Sequence, residues 1–514
     1  MAGSLGIAQA QPARPAAGAA AVAPAAMPVE LHGVTLYDGA GLLAYAQAVA
    51  GQGGTADLSA LARVVEQLYH EDGWFLAEAR AFRDPASGRQ GITVEEGRLR
   101  AVEVVGVPEP TGRRIAGYLA PALDGTPVRL DTFERGLMLA GDLSGITLRS
   151  EFVPDPASSG HRAVVHAQQR RASFAALVDT VPRSSAVGTY ASGETYSLLA
   201  PGDLARVVVG GNLRTNGREG GLTGGVFYRL PIGNDGLYTE VYATQLGQAR
   251  EFAGPTIDQR MQRGQLLGAL VGYPVLRSLD GALYAILAAE RRAVDAEGPT
   301  SAADRSTALR VSAYHVSHGA GAPAFRTGLT LSVGHAYSAQ NPGVDRQFWH
   351  LRAVAGTVLR LGEAEAGYAL RLEGYAKYAA QTLPEVERLA LGDRSRMRGY
   401  MFGAATGDTG AVGTIELSRH IPLEAGVLRA VTPSVFLDAG VARKNGLFPA
   451  GTVGGVLPGT LRERTVSLAS IGLAARLDLA EGFGVSGWVG LPLLDGGTGV
   501  QYKPAAYVQL TKAW

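Results

Sequence analysis

The residues that could carry chemistry are few in this chain. Asp408, Thr409 and Gly410 form the triplet that supplies a catalytic carboxylate in aspartic proteases, but that chemistry needs two carboxylates and the sequence holds no second copy. None of the four Lys residues precedes Ser or Thr, which excludes a Walker A phosphate loop, and there is no G-x-S-x-G motif. The sequence therefore predicts neither an enzyme nor a cofactor.

Metal and nucleic-acid binding are not indicated either. The chain has no Cys, and its nine His residues are scattered without H-E-x-x-H spacing, so we expect no metal site. A net charge of +1 over 514 residues does not mark a nucleic-acid partner. The lack of Cys also rules out a disulfide framework, and it suits the oxidising periplasm.

One Gly-rich stretch, residues 394–410, concentrates cationic side chains. It reads RSRMRGYMFGAATGDTG and carries Arg396, Arg398, Gly399 and Tyr400 without a hydrophobic period of its own. Segments with strand-like alternation flank it on both sides. The stretch is therefore predicted to be a loop, and its purpose depends on the elements around it.

The first third of the chain contains an internal repeat. Residues 28–98 and 99–171 each follow the order strand, helix, helix, strand, strand, which predicts two α+β domains. In the first domain, Leu61, Val65 and Leu68 fall on one helical face. Thr55 is the expected N-cap of that helix, with Asp57 in its first turn.

Residues 172–514 lose the helical period and consist of strands and turns. We count sixteen segments with alternating faces, joined by short and long connections in turn. A sandwich strand can also alternate, but it rarely occurs in so many long copies with so little charge. The even count and the alternating loop lengths predict a 16-stranded antiparallel transmembrane β-barrel.

No apolar window is long enough for a membrane helix. The Arg-bearing loop, about residues 379–410, then lies on the rim with the longer loops and either projects outward or folds into the lumen.

The element order and several motifs resemble the two-partner-secretion outer-membrane transporters, the TpsB proteins of the hemolysin secretion/activation type. These belong to the superfamily of POTRA domains followed by a sixteen-stranded barrel. The resemblance covers nearly all of residues 28–514, with Ser144 where a Pro is usual. Seven segments in the right order carry it: YHEDGWF, VEEGRLRAVEVVG, LDTFERGLMLAGDLSGITLRSEFVP, YSLLAPGDL, YPVLRSLDGALY, LPEVERLALGDRSRMRGY and FLDAG.

The resemblance implies that the loop, the sixth on its rim, folds back into the barrel. Its Arg398 is then expected to pair with Asp438 of the FLDAG motif, because a planar guanidinium can donate two parallel hydrogen bonds to one carboxylate. Met397 and Asp393 depart from the family pattern, which has Val and a second Gly there. The predicted site residues are Arg398, Gly399, Tyr400, Phe436, Asp438 and Gly440, with Glu416 and Arg396 as possible further partners in the lumen.

The function implied by the resemblance is a passive protein-conducting pore in the bacterial outer membrane. Periplasmic POTRA domains would capture an unfolded exoprotein of the TpsA type. Other expected partners are outer-membrane lipid and lipopolysaccharide, and the barrel-assembly machinery during biogenesis. Two alternatives stay open: an assembly insertase of the same superfamily, which as a rule carries more POTRA domains, and a small-solute porin, which lacks the 28–170 repeat.

Residues 1–27 read either as the remnant of a secretory signal or as a plain Ala/Pro-rich tail. Ala8, Gln9 and Ala10 form a small-x-small cleavage pattern. Cleavage there would leave residues 11–27, which reach at most about 60 Å when extended. Three Pro residues and the lack of a polar face oppose an amphipathic helix. Many TpsB proteins carry an N-terminal plug helix, and here we expect none.

Deleting residues 11–26 should leave the conductance in planar bilayers unchanged, because no plug is lost. Deleting residues 396–408 should raise the conductance, because the loop is then the main obstruction. A large rise from the N-terminal deletion alone would contradict this prediction.

Overall fold

The structure is a computed structural model of the chain. It describes residues 29–50, 57–87, 89–155, 160–180, 186–214, 221–252, 258–297, 302–317, 323–339, 343–362, 367–392, 396–400, 403–445, 448–449, 461–462, 465–494 and 503–514. The predicted N-terminal segment 1–27, Thr55 and Asp393 lie outside these ranges. The chain divides into two units, one ending at Gln169 and one running from Arg170 to Trp514 with Leu143–Gly145.

The first unit contains the predicted repeat of strands and helices. In the first copy a three-stranded sheet has the order β1-β3-β2, and in the second copy the order is β4-β6-β5. Within each copy the first strand is parallel to its neighbour and the last two strands are antiparallel. The elements are β1 Glu30–His32, α1 Gly39–Ala50, α2 Leu58–Glu71, β2 Glu78–Arg83, β3 Gln90–Glu95, β4 Leu99–Val105, α3 Glu109–Leu119 followed by a 3-10 turn Ala120–Leu123, α4 Leu130–Gly141, β5 Ile146–Pro154 and β6 His161–Gln169.

Helix α2 packs as its sequence period predicts, but its cap differs. Leu61, Val65 and Leu68 are buried in one core with residues of α1 and β3. The N-cap is Asp57, whose side chain accepts a hydrogen bond from the Ala60 amide at 2.6 Å. The prediction that Asp57 lies inside the first turn was therefore wrong, because its carboxylate satisfies an orphan amide from outside the helix.

Across the described parts of the chain, none of the helices is both long and apolar enough to cross a bilayer.

The second unit is a closed barrel in which every neighbouring pair is antiparallel and strand 16 pairs with strand 1. Sixteen strands were predicted, and the described residues form sixteen barrel strands. Numbered in chain order, they are Ala172–Thr180, Ala186–Tyr196, Leu204–Arg214, Leu222–Pro231, Tyr238–Phe252, Asp258–Arg277, Gly281–Glu297, Ala302–Ser317, Ala324–Ser338, Gln347–Leu361, Tyr368–Tyr378, Thr409–Arg419 continued by Ile421–Ala425, Leu428–Arg443, Thr465–Leu479, Phe483–Pro492 and Ala505–Ala513. A two-residue pair, Phe448–Pro449 with Leu461–Arg462, follows strand 13, and a 3-10 turn, Ala480–Gly482, follows strand 14.

Side chains alternate between the two faces of the barrel wall. In strand 13, Val435 and Leu437 are 49% and 42% exposed, whereas Phe436 and Asp438 between and beyond them are buried. A strand has a period of two residues, so one face is apolar and outward and the other faces the lumen. This parity places the strand residues of the candidate site, Glu416, Phe436, Asp438 and Gly440, on the inner face.

The loop between strands 11 and 12 folds inward. It contains a 3-10 turn, Glu385–Glu387, and a small hairpin that pairs Leu389–Leu391 with Ala405–Gly407. Leu391, Met397 and Tyr400 are fully buried and belong to one apolar cluster with residues of the barrel wall. Of the two possibilities left by the loop's length and charge, the structure shows the one inside the lumen. We call residues 379–408 loop six.

A buried carboxylate ties together the first copy of the repeat. Glu96 accepts hydrogen bonds from the Thr35 amide at 2.5 Å, the Leu36 amide at 2.8 Å and the Tyr69 hydroxyl at 2.9 Å. Burial alone would raise the pKa of Glu96, but these hydrogen bonds to its charged form outweigh burial and hold the pKa below its usual range. The folded state therefore favours the ionised form of Glu96.

Glu96→Gln should therefore lower the unfolding free energy of the N-terminal unit by roughly 1–3 kcal/mol at pH 7. Because the folded-state pKa is depressed, this stabilisation is fully present above the unfolded value of 4.5 and is lost as pH falls from there through the folded pKa. Urea titration with pulse proteolysis of the full-length protein in detergent measures it. Glu95→Gln, at an exposed neighbouring carboxylate, is the control. Equal losses in both variants would contradict the prediction.

Candidate functional site

The site is built around the guanidinium of Arg398 in loop six. Arg398 donates to both oxygens of Asp438, from Nε at 3.0 Å and from Nη2 at 3.0 Å, and its backbone amide donates to Oδ2 at 2.9 Å. Thr414 donates to the other oxygen, Oδ1, at 2.9 Å. Asp438 is fully buried, so its charge is satisfied by hydrogen bonds rather than by water.

A second carboxylate and an aromatic ring complete the surroundings of the cation. Arg398 Nη1 donates to Glu416 at 2.8 Å, and Glu416 also accepts from Ser434 at 2.8 Å. The guanidinium carbon lies 3.4 Å from the centroid of the Phe436 ring, a cation–π arrangement. One cation is thus held between two carboxylates and stacked on a ring. Two of these partners, Glu416 and Phe436, lie directly opposite each other on strands 12 and 13.

The backbone around Arg398 needs residues that accept unusual conformations. Gly399 has φ +96°, and a Cβ there would come within 3.1 Å of the backbone of Gly490 in strand 15. Met397 also has a positive φ, +56°, although it is not Gly. Its side chain is fully buried, and a Cβ on Gly440 would approach its sulfur to 3.3 Å. Because Gly440 has no side chain, it leaves room for Met397, which is larger than the Val of the family pattern.

Tyr400 joins the tip of the loop to the backbone of strand 14 and of the segment just after strand 15. Its hydroxyl lies 2.7 Å from the carbonyl oxygens of Ala469 and Leu494, and it accepts at 3.3 Å from the amides of the same two residues. The ring belongs to the buried cluster of the loop. The predicted packing of Tyr400 on the lumen wall is therefore also a set of polar contacts to backbone.

Arg396 lies apart from this group. Its guanidinium carbon is 5.1 Å from the centroid of the Tyr375 ring on strand 11. The structure thus brings seven of the eight predicted residues together and places Arg396 against a different part of the wall.

Two charged residues of loop six were not predicted as site residues. Asp408, noted only for a protease-like triplet, is buried and accepts from Leu383 at 2.9 Å, Arg388 at 3.1 Å and Asn445 at 2.6 Å. Glu387, near the beginning of loop six, is also buried. The available signal was the run of polar residues on one face of strand 8, at Asp304, Ser306, Arg310 and Ser312.

The arrangement has the properties of a mechanical anchor. Its polar atoms form hydrogen bonds with one another. Within the described ranges, no group of acidic and His side chains has the arrangement to hold a metal ion. Taking one partner away would leave the other charge buried and unpaired, which is costly. The described residues thus define a fold class in which two α+β copies are followed along the chain by a closed sixteen-stranded barrel with a loop fixed in its lumen.

Comparisons with known proteins narrow this class. The profile of the family described as haemolysin secretion/activation protein ShlB/FhaC/HecB matches residues 303–459. Hemolysin transporter protein ShlB of Serratia marcescens is 25% identical over 460 residues, covering 84% of this chain and 78% of that protein. CdiB from Escherichia coli is similar in structure with a TM-score of 0.68 at 17% identity, covering 97% of this chain and 92% of that one. CdiB from Acinetobacter baumannii gives 0.64 at 13%, with 94% and 89% covered. The family profile and the similarity to ShlB support a TpsB-type transporter, an outer-membrane translocation pore of two-partner secretion, and the two CdiB structures show the same fold.

Gly399→Ala should loosen the tip of loop six and raise the conductance in planar bilayers. The added Cβ would meet the Gly490 backbone in a conformation that costs a side chain about 1–3 kcal/mol. Gly403→Ala is the matched control, since Gly403 also has a positive φ, +67°, but has nothing within 4 Å of the added atom. The prediction fails if both variants conduct like the parent, or if the control conducts as strongly as Gly399→Ala.

Proposed function

We propose that loop six is the element that closes the pore and that the contacts of Arg398 with Asp438 and Glu416 hold it closed. The observation that supports this most is the clamp itself, in which a buried loop cation meets two wall carboxylates at 2.8–3.0 Å. These contacts join the loop to side chains of the wall. The loop can therefore leave without breaking the hydrogen-bond ladder that closes the barrel.

The cargo in this proposal is a large secreted exoprotein that crosses as an unfolded chain. The printed name of the relative ShlB, a hemolysin transporter, supports a secreted protein as the class of substrate. Sixteen-stranded barrels leave an aqueous channel, which favours an extended chain over a folded domain. No step of this transport is catalytic, and nucleic acid plays no part in it.

Capture of the cargo is assigned to residues 28–98 and 99–171, as two periplasmic POTRA domains. Each of their sheets has two edge strands, β1 and β2 in the first domain and β4 and β5 in the second. An extended segment can add to such an edge through backbone hydrogen bonds, whatever its side chains are. This mode suits a cargo that reaches the pore before it has folded.

Other partners follow from the barrel. Its outward apolar side chains would contact lipid and lipopolysaccharide of the outer membrane. The pairing of strand 16 with strand 1 closes the barrel, and this is the step at which the barrel-assembly machinery would act. The alternative, that this chain itself assembles other barrels, is less favoured because the matching family profile and the relative ShlB both concern hemolysin secretion.

Arg398→Ala and Asp438→Ala should each reduce secretion of the partner exoprotein at least about tenfold, because the first leaves Asp438 buried without its cation and the second leaves Arg398 with Glu416 alone, so that loop six is no longer fixed in the lumen. The effects should not add in the double variant, because both changes break one contact. Immunoblots of culture supernatant measure secretion, and heat-modifiable mobility shows that the barrel has assembled. Arg371→Ala is the control, because its pair with Glu373 is half exposed and worth little.

Two outcomes would contradict the proposal. One is a double variant whose loss equals the two single losses combined. The other is a parallel loss of many unrelated outer-membrane proteins in the same strains, which would favour the assembly alternative.

A further inference from the structure

A buried carboxylate holds the beginning of loop six. Glu387 lies in the 3-10 turn Glu385–Glu387 and is 1% exposed. Its Oε1 accepts hydrogen bonds from Arg310 Nη2 and Ser306 Oγ, both at 2.7 Å. Its Oε2 lies 3.1 Å from His350 Nε2. Both oxygens of this loop carboxylate therefore have partners on the barrel wall.

The wall around Glu387 is cationic. Lys377 of strand 11 donates to the backbone carbonyl of Glu387, and Arg292 Nη1 lies 3.9 Å from Oε2. Arg310 also donates to Glu290 at 2.7 Å, so it bridges a wall carboxylate and the loop carboxylate. Three wall cations face two carboxylates in this cluster. Its sign is thus the reverse of the Arg398 site, where a loop cation meets wall carboxylates.

The two clusters use separate parts of the wall. The partners of Glu387 lie on strands 7, 8, 10 and 11, whereas Asp438, Glu416 and Phe436 lie on strands 12 and 13. Within the described residues, no side chain that contacts Glu387 also contacts Arg398. Neither cluster therefore requires the other in order to form.

The beginning of the loop has a local framework of its own. The amide of Glu385 donates to Asp304 of strand 8 at 2.6 Å, and Leu383 donates to Asp408 at 2.9 Å. Glu387 lies directly between this framework and the hairpin that starts at Leu389. Arg398 takes part in none of these hydrogen bonds.

We propose that Glu387 is a positioning residue that fixes the base of loop six, the turn Glu385–Glu387, independently of Arg398. Loop six then has two anchors of opposite charge. The inference deepens the proposed closing function of the loop and rests on it for its importance in secretion. Loss of the Arg398 contact frees only the tip, and the base moves only when the Glu387 cluster also opens. A complete opening of the lumen requires both releases.

Single Cys reporters can test this directly, because the chain has no Cys of its own. Val386→Cys reports on the base and Ala404→Cys on the tip, and both side chains are partly buried. Purified full-length protein in lipid vesicles is labelled with a membrane-impermeant maleimide. Glu387→Gln should speed labelling at Val386→Cys by about tenfold or more, as expected when a buried charge pair is broken from one side. It should leave labelling at Ala404→Cys nearly unchanged.

Arg398→Ala should show the opposite selectivity, with faster labelling at the tip and none of that gain at the base. This selectivity separates positioning from general destabilisation, which would expose both reporters. Glu373→Gln is the matched control, since it removes a lumen carboxylate on strand 11 that pairs with Arg326 and Arg371 rather than with the loop. If Glu387→Gln does not assemble, Ser306→Ala removes one donor from the same carboxylate and should act in the same direction at the base.

The proposal is overturned if base labelling does not rise in Glu387→Gln and Ser306→Ala, or if Arg398→Ala exposes the base as strongly as the tip. Labelling is read without secretion. Normal secretion by Arg398→Ala would therefore count against the closing function of the loop, while selective labelling at the base would still support the second anchor.

Discussion

The central constraint of this structure is a guanidinium that is buried inside the barrel. Arg398 loses most of its water, and only the two carboxylates, the ring of Phe436 and the aligned hydrogen bonds make that position tolerable. Buried pairs of this kind add little net stability, but breaking them from one side is expensive. Such a contact is better suited to hold one of two states than to stabilise the fold as a whole.

The wall can supply these partners because strand register fixes their positions. Thr414 lies opposite Asp438, and Glu416 lies opposite Phe436, in one antiparallel pair of strands. All four side chains point inward because each is two residues from the next along its strand. A slip of one residue between these strands would turn Leu437 inward and Asp438 toward the lipid. The same alternation that makes the outer face apolar therefore builds the site.

The parts that sequence could predict are those that depend on local periodicity. Sixteen strands follow from a persistent period of two, and the buried face of α2 follows from the period of a helix. The pairing of Arg398 with Asp438 was predicted from the resemblance of two short motifs to those of a known transporter family. Glu387 and Asp408 could not be placed in this way, because their partners at Arg310, His350 and Asn445 are set by how a long loop lies in the lumen. The N-cap of α2 was misplaced because Asp57 can serve equally well inside or before a first turn.

The two charged clusters of loop six also bear on what an open pore must be like. When the loop leaves, the wall keeps a cationic patch around Arg310 and Lys377 and an anionic patch around Asp438 and Glu416. In a dry lumen these groups would be buried charges without partners, which is prohibitively costly. They become tolerable only if water, ions or charged side chains of the passing chain replace the loop. In the proposed opening of loop six, release of the loop is therefore coupled to wetting of the charged patches on the wall.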